Sequence, residues 1–131
     1  MPLKQVYTYR GDLPPSANMS YRVNYKTKKL FVTEKTNRFR KVVRLHWANA
    51  KEETFTGDVS VVIRVCALTH KRRDLDNLIK PTLDAMQLAG VFLDDTQVTN
   101  IFAHKCRCRN CDNRFMAIVT NSQTTLSVLN V

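Results

Sequence analysis

The sequence contains no apolar run approaching the roughly 20 residues that a membrane span requires, and it is short of acids, with 11 Asp and Glu against 21 Lys and Arg in 131 residues. The first lack excludes a transmembrane helix. The opening stretch, MPLKQVYTYRGDLPP, has neither a continuous apolar core nor a small-residue cleavage site, so it does not read as a secretory signal. A reducing cytoplasm is therefore the expected setting, where the four cysteines are not a disulfide framework. The second lack leaves a formal charge of +10, which favours a polyanionic partner through phosphate contacts and counterion release. Nucleic acid comes ahead of an anionic membrane surface. Length and a 44% hydrophobic fraction fit a single domain with one core, residues 1–131.

The charges that are present are segregated. Residues 22–44 carry nine Lys or Arg with Glu34 as the only acid, and a second basic run, HKRR, spans His70 to Arg73. Directly behind it, between Asp74 and Asp95, lie five of the eleven acids. The pattern of elements places these runs. Gln5 to Tyr9 favours a strand, and GDLPPS ends it as a loop. Tyr21 to Val32 suits an irregular or hairpin segment. Thr33 can cap a helix whose apolar face is Phe39, Val42, Val43, His46, Trp47 and Ala50, with a basic opposite face. Asp58 to Leu68 predicts a largely buried strand with Val59, Val61, Ile63, Val65 and Ala67 on one side. The fold class is α+β: a mixed sheet of about four or five strands packed by two main helices.

The stretch DLDNLIKPTLDAMQLAGVFLDD, Asp74 to Asp95, holds the chemistry. Leu75, Leu78, Ile79, Leu83 and Met86 have helical spacing, and Pro81 is best tolerated in a first turn, so the helix is expected to start between Asn77 and Lys80. Asp74 and Asp76 would then leave the strand in extended or turn conformation and face one space. Gly90 supplies a left-handed helix end, and the chain turns at Asp94 and Asp95 into a strand running to about His104, followed by a last strand at Phe115 to Val119. Three carboxylates from two segments suit a hard divalent cation such as Mg²⁺, which takes oxygen ligands and can activate water beside a phosphodiester. The plainer alternative is that these acids cap the helix or pair with Arg72 and Arg73.

The strings RRDLDNLIKPTLDAM and AGVFLDDTQV, with LPPSANMSYR upstream, resemble the motif set of the RusA family of Holliday-junction resolvases, from about Pro14 to His104. The resemblance implies a homodimeric endodeoxyribonuclease, dependent on Mg²⁺ with Mn²⁺ as a substitute, that binds four-way DNA junctions and nicks two strands symmetrically in recombination and repair. Carried over by motif position, Asp74, Asp76 and Asp95 would be the catalytic metal ligands and Lys80 the catalytic lysine. A lysine there suits charge developing on a phosphate; a surface lysine on a first helical turn is the alternative. Asp94 is either a contributor around the metal or a turn residue, and Asn77 either orients a ligand or, the better reading, caps the helix. A non-catalytic basic DNA-binding module and a metal-dependent nuclease for other branched DNA are the competing functions.

Aromatics interleaved with cations at Tyr21, Arg22, Tyr25, Lys26, Lys28 and Lys29 suit stacking on unpaired bases and phosphate contacts. Arg22, Arg72 and Arg73 are assigned to DNA binding. The segment 104–114 departs from the family: His104, Cys106, Cys108 and Cys111 offer four soft ligands, enough for a structural Zn²⁺, but lack the usual two separated C-x-x-C halves. Reduced thiols in a basic hairpin, with Arg107, Arg109 and Arg114 reaching DNA, is the preferred reading. Cys66 belongs to the core, and residues 121–131 form a polar tail.

Overall fold

The structure, a computed structural model, describes residues 4–66, 73–107 and 115–121. Its sheet is organised around β4 (Val59–Cys66), whose β-branched sequence is buried at seven of its eight positions. Val59, Val61, Ile63 and Val65 alternate into the main core, as the period of two requires. β4 pairs in parallel with β5 (Val98–Cys106) and antiparallel with β6 (Phe115–Thr120), and β6 pairs antiparallel with β1 (Val6–Gly11). The order is β1-β6-β4-β5, a mixed four-stranded sheet. β2 (Tyr21–Asn24) and β3 (Lys29–Val32) form a separate two-stranded hairpin.

Two helices cover the sheet. α1 (Glu34–Ala50) buries Thr36, Phe39, Val43 and Trp47, one face at three- and four-residue spacing. Tyr7 and Trp47 meet edge to face at 4.8 Å between ring centroids, and Tyr9 meets Phe39 at 6.1 Å. Burial of each such side chain stabilises the fold by about 1.5–3 kcal/mol. His46 lies among these rings, its Nδ1 2.7 Å from the Tyr7 hydroxyl. Thr33 does precede α1, but its hydroxyl bonds Met19 O and Thr36 Oγ1 rather than a helix N–H. α2 (Asp76–Ala89) crosses from β4 to the parallel β5, the kind of connection parallel strands need. Gly90, with φ of 91°, ends α2 as expected. No helix of the described residues is long and apolar enough to cross a membrane.

Two expectations are overturned. α2 begins at Asp76, not between Asn77 and Lys80, so Pro81 is an interior residue, five positions after the start. Leu75 packs on the core and Leu78 is fully buried, and the N–H groups of Asn77 and Leu78 bond the carbonyls of Asp74 and Leu75. Burial of this leucine pair draws the chain into the helix ahead of the proline. Asn77 is consequently a helical residue and not the cap, which is Leu75 without a side-chain bond. The connection from β5 to β6 is likewise not a hairpin, because β4 lies between those strands.

Candidate active site and nucleic-acid surface

α2 joins the two carboxylate segments. Asp74 is exposed just ahead of it, and Asp76, also exposed, is its first residue, where unpaired helix N–H groups favour negative charge. The two are therefore separated by a turn of backbone and not aligned on an extended strand. From Asp76 the positions of Lys80, Asp84 and Gln87 recur on one helix face, opposite the buried Leu78, Thr82 and Ala85. Lys80 Nζ lies 3.4 Å from Asp84 Oδ1, and Gln87 Oε1 accepts the backbone N–H of Asp95 at 3.2 Å. A polar stripe thus runs down α2 and ends on Asp95.

Asp95 opens a short 3-10 turn, Asp95–Gln97, capped by Asp94. Asp94 Oδ1 accepts the Thr96 N–H at 3.1 Å, so its turn role is filled. That backbone bond holds the Asp94 carboxyl below the usual range, helped by its hydrogen bond with the Asp95 carboxyl. The Asp95 carboxyl is pushed up, first by this hydrogen bond with Asp94, then by partial desolvation and by the like charges of Asp94 and Asp84, against the lowering effect of Lys80. Negative charge here exceeds what the single lysine offsets.

Lys80 and Asp95 are thus brought into one neighbourhood, joined by Asp84, which the sequence reading counted but did not place. Asp74 and Asp76 lie at the start of α2, one turn before Lys80. From Asp76 to Gln87 the axis advances about 16 Å at ~1.5 Å per residue. Among the described residues, no three His, Cys, Asp or Glu side chains come together as a metal site. The donors match a hard cation in kind.

Cations adjoin the acids. Arg22 and Arg73 line one cavity of about 390 Å³ with Lys35, Pro15 and Ser16. Arg73, Lys35 and Arg38 line a second, of about 220 Å³, with Pro14 and Pro15. The proline loop therefore sets a basic surface against the residue that precedes Asp74. Arg72 lies outside the described residues. His104 and Cys106 lie two apart on β5; Arg64 donates to Cys106 Sγ at 3.0 Å, and burial, then the Arg64 charge, lowers the His104 pKa. Cys108 and Cys111 lie outside the described residues. Cys66 is buried, paired in register with Cys106.

Missed by the sequence reading was Gln97, although Asp94-x-x-Gln97 is a capping-box spacing. Gln87 carried no signal of its own. Residues 12–114 match the family model described as endodeoxyribonuclease RusA. The chain matches none of the curated proteins.

Proposed function

Since the chain belongs to the endodeoxyribonuclease RusA family, we propose that it is a Mg²⁺-dependent, structure-selective endonuclease that resolves four-way DNA junctions by paired symmetric nicks. The observation that carries this reading is the step from Arg73 to Asp74: a cation lining a basic cavity is followed directly by the first of the clustered acids. A protein that only bound DNA would gain nothing from carboxylates beside phosphates, since like charges repel.

Asp74, Asp76 and Asp95 are the proposed ligands, all oxygen donors of the kind Mg²⁺ takes. When bound, the ion would supply an activated water and neutralise charge on the phosphodiester. Arg22, Arg72 and Arg73 hold the DNA backbone, and Lys80 sits as a point charge for the phosphate in its transition state. Asp84 holds Lys80 through their ion pair. Gln87 accepts the Asp95 N–H and Gln97 the Asp94 N–H, so the two fix the backbone leading into Asp95.

Two cuts related by symmetry require two equivalent centres, and a two-fold homodimer supplies them. All of residues 1–131 belong to this one catalytic domain.

The test is incubation with a synthetic four-way junction or a matched duplex, in Mg²⁺ or in EDTA. Paired nicks in the junction, only with metal, are expected. Tight junction binding without cutting in any divalent ion would instead identify a binding module, and faster cutting of forks or flaps another branched substrate.

A further inference from the structure

The β2–β3 hairpin is held at its two ends and open between them. At its base, the Thr33 N–H donates to Ser20 O at 3.0 Å, and the hydroxyl of buried Thr36 donates to the same carbonyl at 3.4 Å. At its tip, Asn24 Oδ1 accepts the N–H groups of Lys26 and Thr27 at 3.0 and 3.4 Å, and Lys28 closes the turn in the left-handed region at φ 56°. Every residue from Tyr21 to Phe31 is exposed. A two-stranded hairpin is marginal on its own in water, so these fastenings keep a defined shape on an element that adds nothing to the core.

The register separates its two faces. Tyr21 and Val23 lie opposite Val32 and Leu30 on one; Arg22 and Asn24 lie opposite Phe31 and Lys29 on the other. The second face thus pairs a cation directly with an aromatic ring, and its Arg22 lines the cavity shared with Arg73. At the tip Tyr25 is 90% exposed, with Lys26, Lys28 and Lys29 beside it. No acid occurs between Tyr21 and Thr33. Cations alone would serve for a duplex, which presents phosphates and hides the faces of its bases. An aromatic ring held out among lysines fits an exposed base face, which paired DNA offers where strand stacking is interrupted.

We propose that this hairpin is the branch-reading element of the protein. The Arg22 face holds the phosphates of one strand and leads it toward Arg73 and Asp74, and Tyr25 and Phe31 stack on bases left unstacked at the branch point. This rests on the nuclease reading and adds to it the means by which branched DNA is told from duplex.

The experiment uses the full chain in EDTA, so that binding is measured without cutting. Wild type, Tyr25→Ala, Phe31→Ala and Tyr25→Phe are titrated into a four-way junction with 2-aminopurine at its branch point, and into a duplex of the same sequence. Thermal melting checks that each variant is folded. Loss of one stacked base lowers junction affinity about tenfold. Tyr25→Ala and Phe31→Ala are expected to show that loss with duplex affinity kept and the change in 2-aminopurine fluorescence diminished, whereas Tyr25→Phe behaves as wild type. Folded alanine variants with the wild-type junction-to-duplex ratio and fluorescence would overturn the proposal while leaving the nuclease reading intact. So would alanine variants whose only change is a shift from dimer to monomer in sedimentation, which would make the hairpin a contact between copies. A wild type that neither prefers nor, with Mg²⁺, cuts the junction would overturn both readings.

Discussion

Gln97 and Asp94 cap one another. Gln97 Oε1 accepts the Asp94 N–H at 3.0 Å and the Leu93 N–H at 2.8 Å, while the Asp94 carboxylate accepts from the turn that Gln97 completes. The other end of the same amide, Nε2, donates to the carbonyls of Phe55 and Gly57 at 2.9 and 2.8 Å. One side chain thus ties the turn bearing Asp95 to the loop ahead of β4, and the position of Asp95 depends on a residue with no role in chemistry.

Gln97→Glu keeps the size of that side chain, removes both donated hydrogen bonds and turns a carboxylate toward two carbonyl oxygens. Each lost bond costs about 1 kcal/mol, and more where a partner is left unsatisfied. Urea melting should show a loss of about 1–3 kcal/mol. Junction cutting should slow by about tenfold, the effect of a ligand held off its position, with DNA affinity unchanged. A variant as stable and as active as wild type would show that the turn holds its shape without this amide.

Stability should also depend on pH. His46 is packed against Tyr7 and Tyr9, and burial lowers its pKa from 6.5; His104 is lowered in the same direction. An imidazole with a depressed folded pKa binds its proton more readily in the unfolded chain, so unfolding takes up protons. The contribution is therefore complete above pH about 6.5 and is lost as pH falls from there through the folded value. Melting temperature should drop on acidification below that point, and His46→Gln should flatten the drop, leaving the share due to His104. An unchanged pH profile in the variant would remove His46 from this role.

What could be read from the sequence was whatever repeats locally. The α1 stripe through Phe39, Val43 and Trp47, the alternation along β4 and the glycine that ends α2 each depend on residues within a few positions of one another, and all three hold. The start of α2 differs from the local expectation because the rule about Pro81 is outweighed by a tertiary gain, the packing of Leu75 on the core and the burial of Leu78, that no short window contains. The β5–β6 connection differs from a hairpin for a related reason: strands consecutive in sequence need not be neighbours, and β4 comes between these two. Motif positions identified the candidate acids but not their spacing across α2. Asp84 and Gln97 matter through partners 4 to 42 residues away, and only Gln97 had a local signature.

If Arg22 and Arg73 each neutralise a phosphate, junction affinity should fall steeply with salt, and Arg22→Gln or Arg73→Gln should reduce the slope of log affinity against log salt by about one unit. The same applies to Arg72. Lower affinity with an unchanged slope would mean that these residues shape the cavity rather than hold DNA.

The acids themselves give the sharpest separation. Asp74, Asp76 and Asp95 are exposed, so Asn at any of them keeps size and leaves the core untouched. Each substitution removes one negative charge and one oxygen ligand of the proposed cation, and cutting should fall by several orders of magnitude. Binding should move the other way or not at all, because a carboxylate beside a phosphate is repulsive when no metal lies between them. The proposed dimer should persist, checked by light scattering. If Asp95 serves the acids of a second copy, mixing Asp76→Asn with Asp95→Asn chains should restore cutting at one of the two centres, through the heterodimer that carries both defects on the other. Those mixtures should then give single nicks in place of paired ones. Asn variants that fold and cut at wild-type rates would make these carboxylates structural, and mixtures with no recovered nicking would confine each site to one copy of the chain.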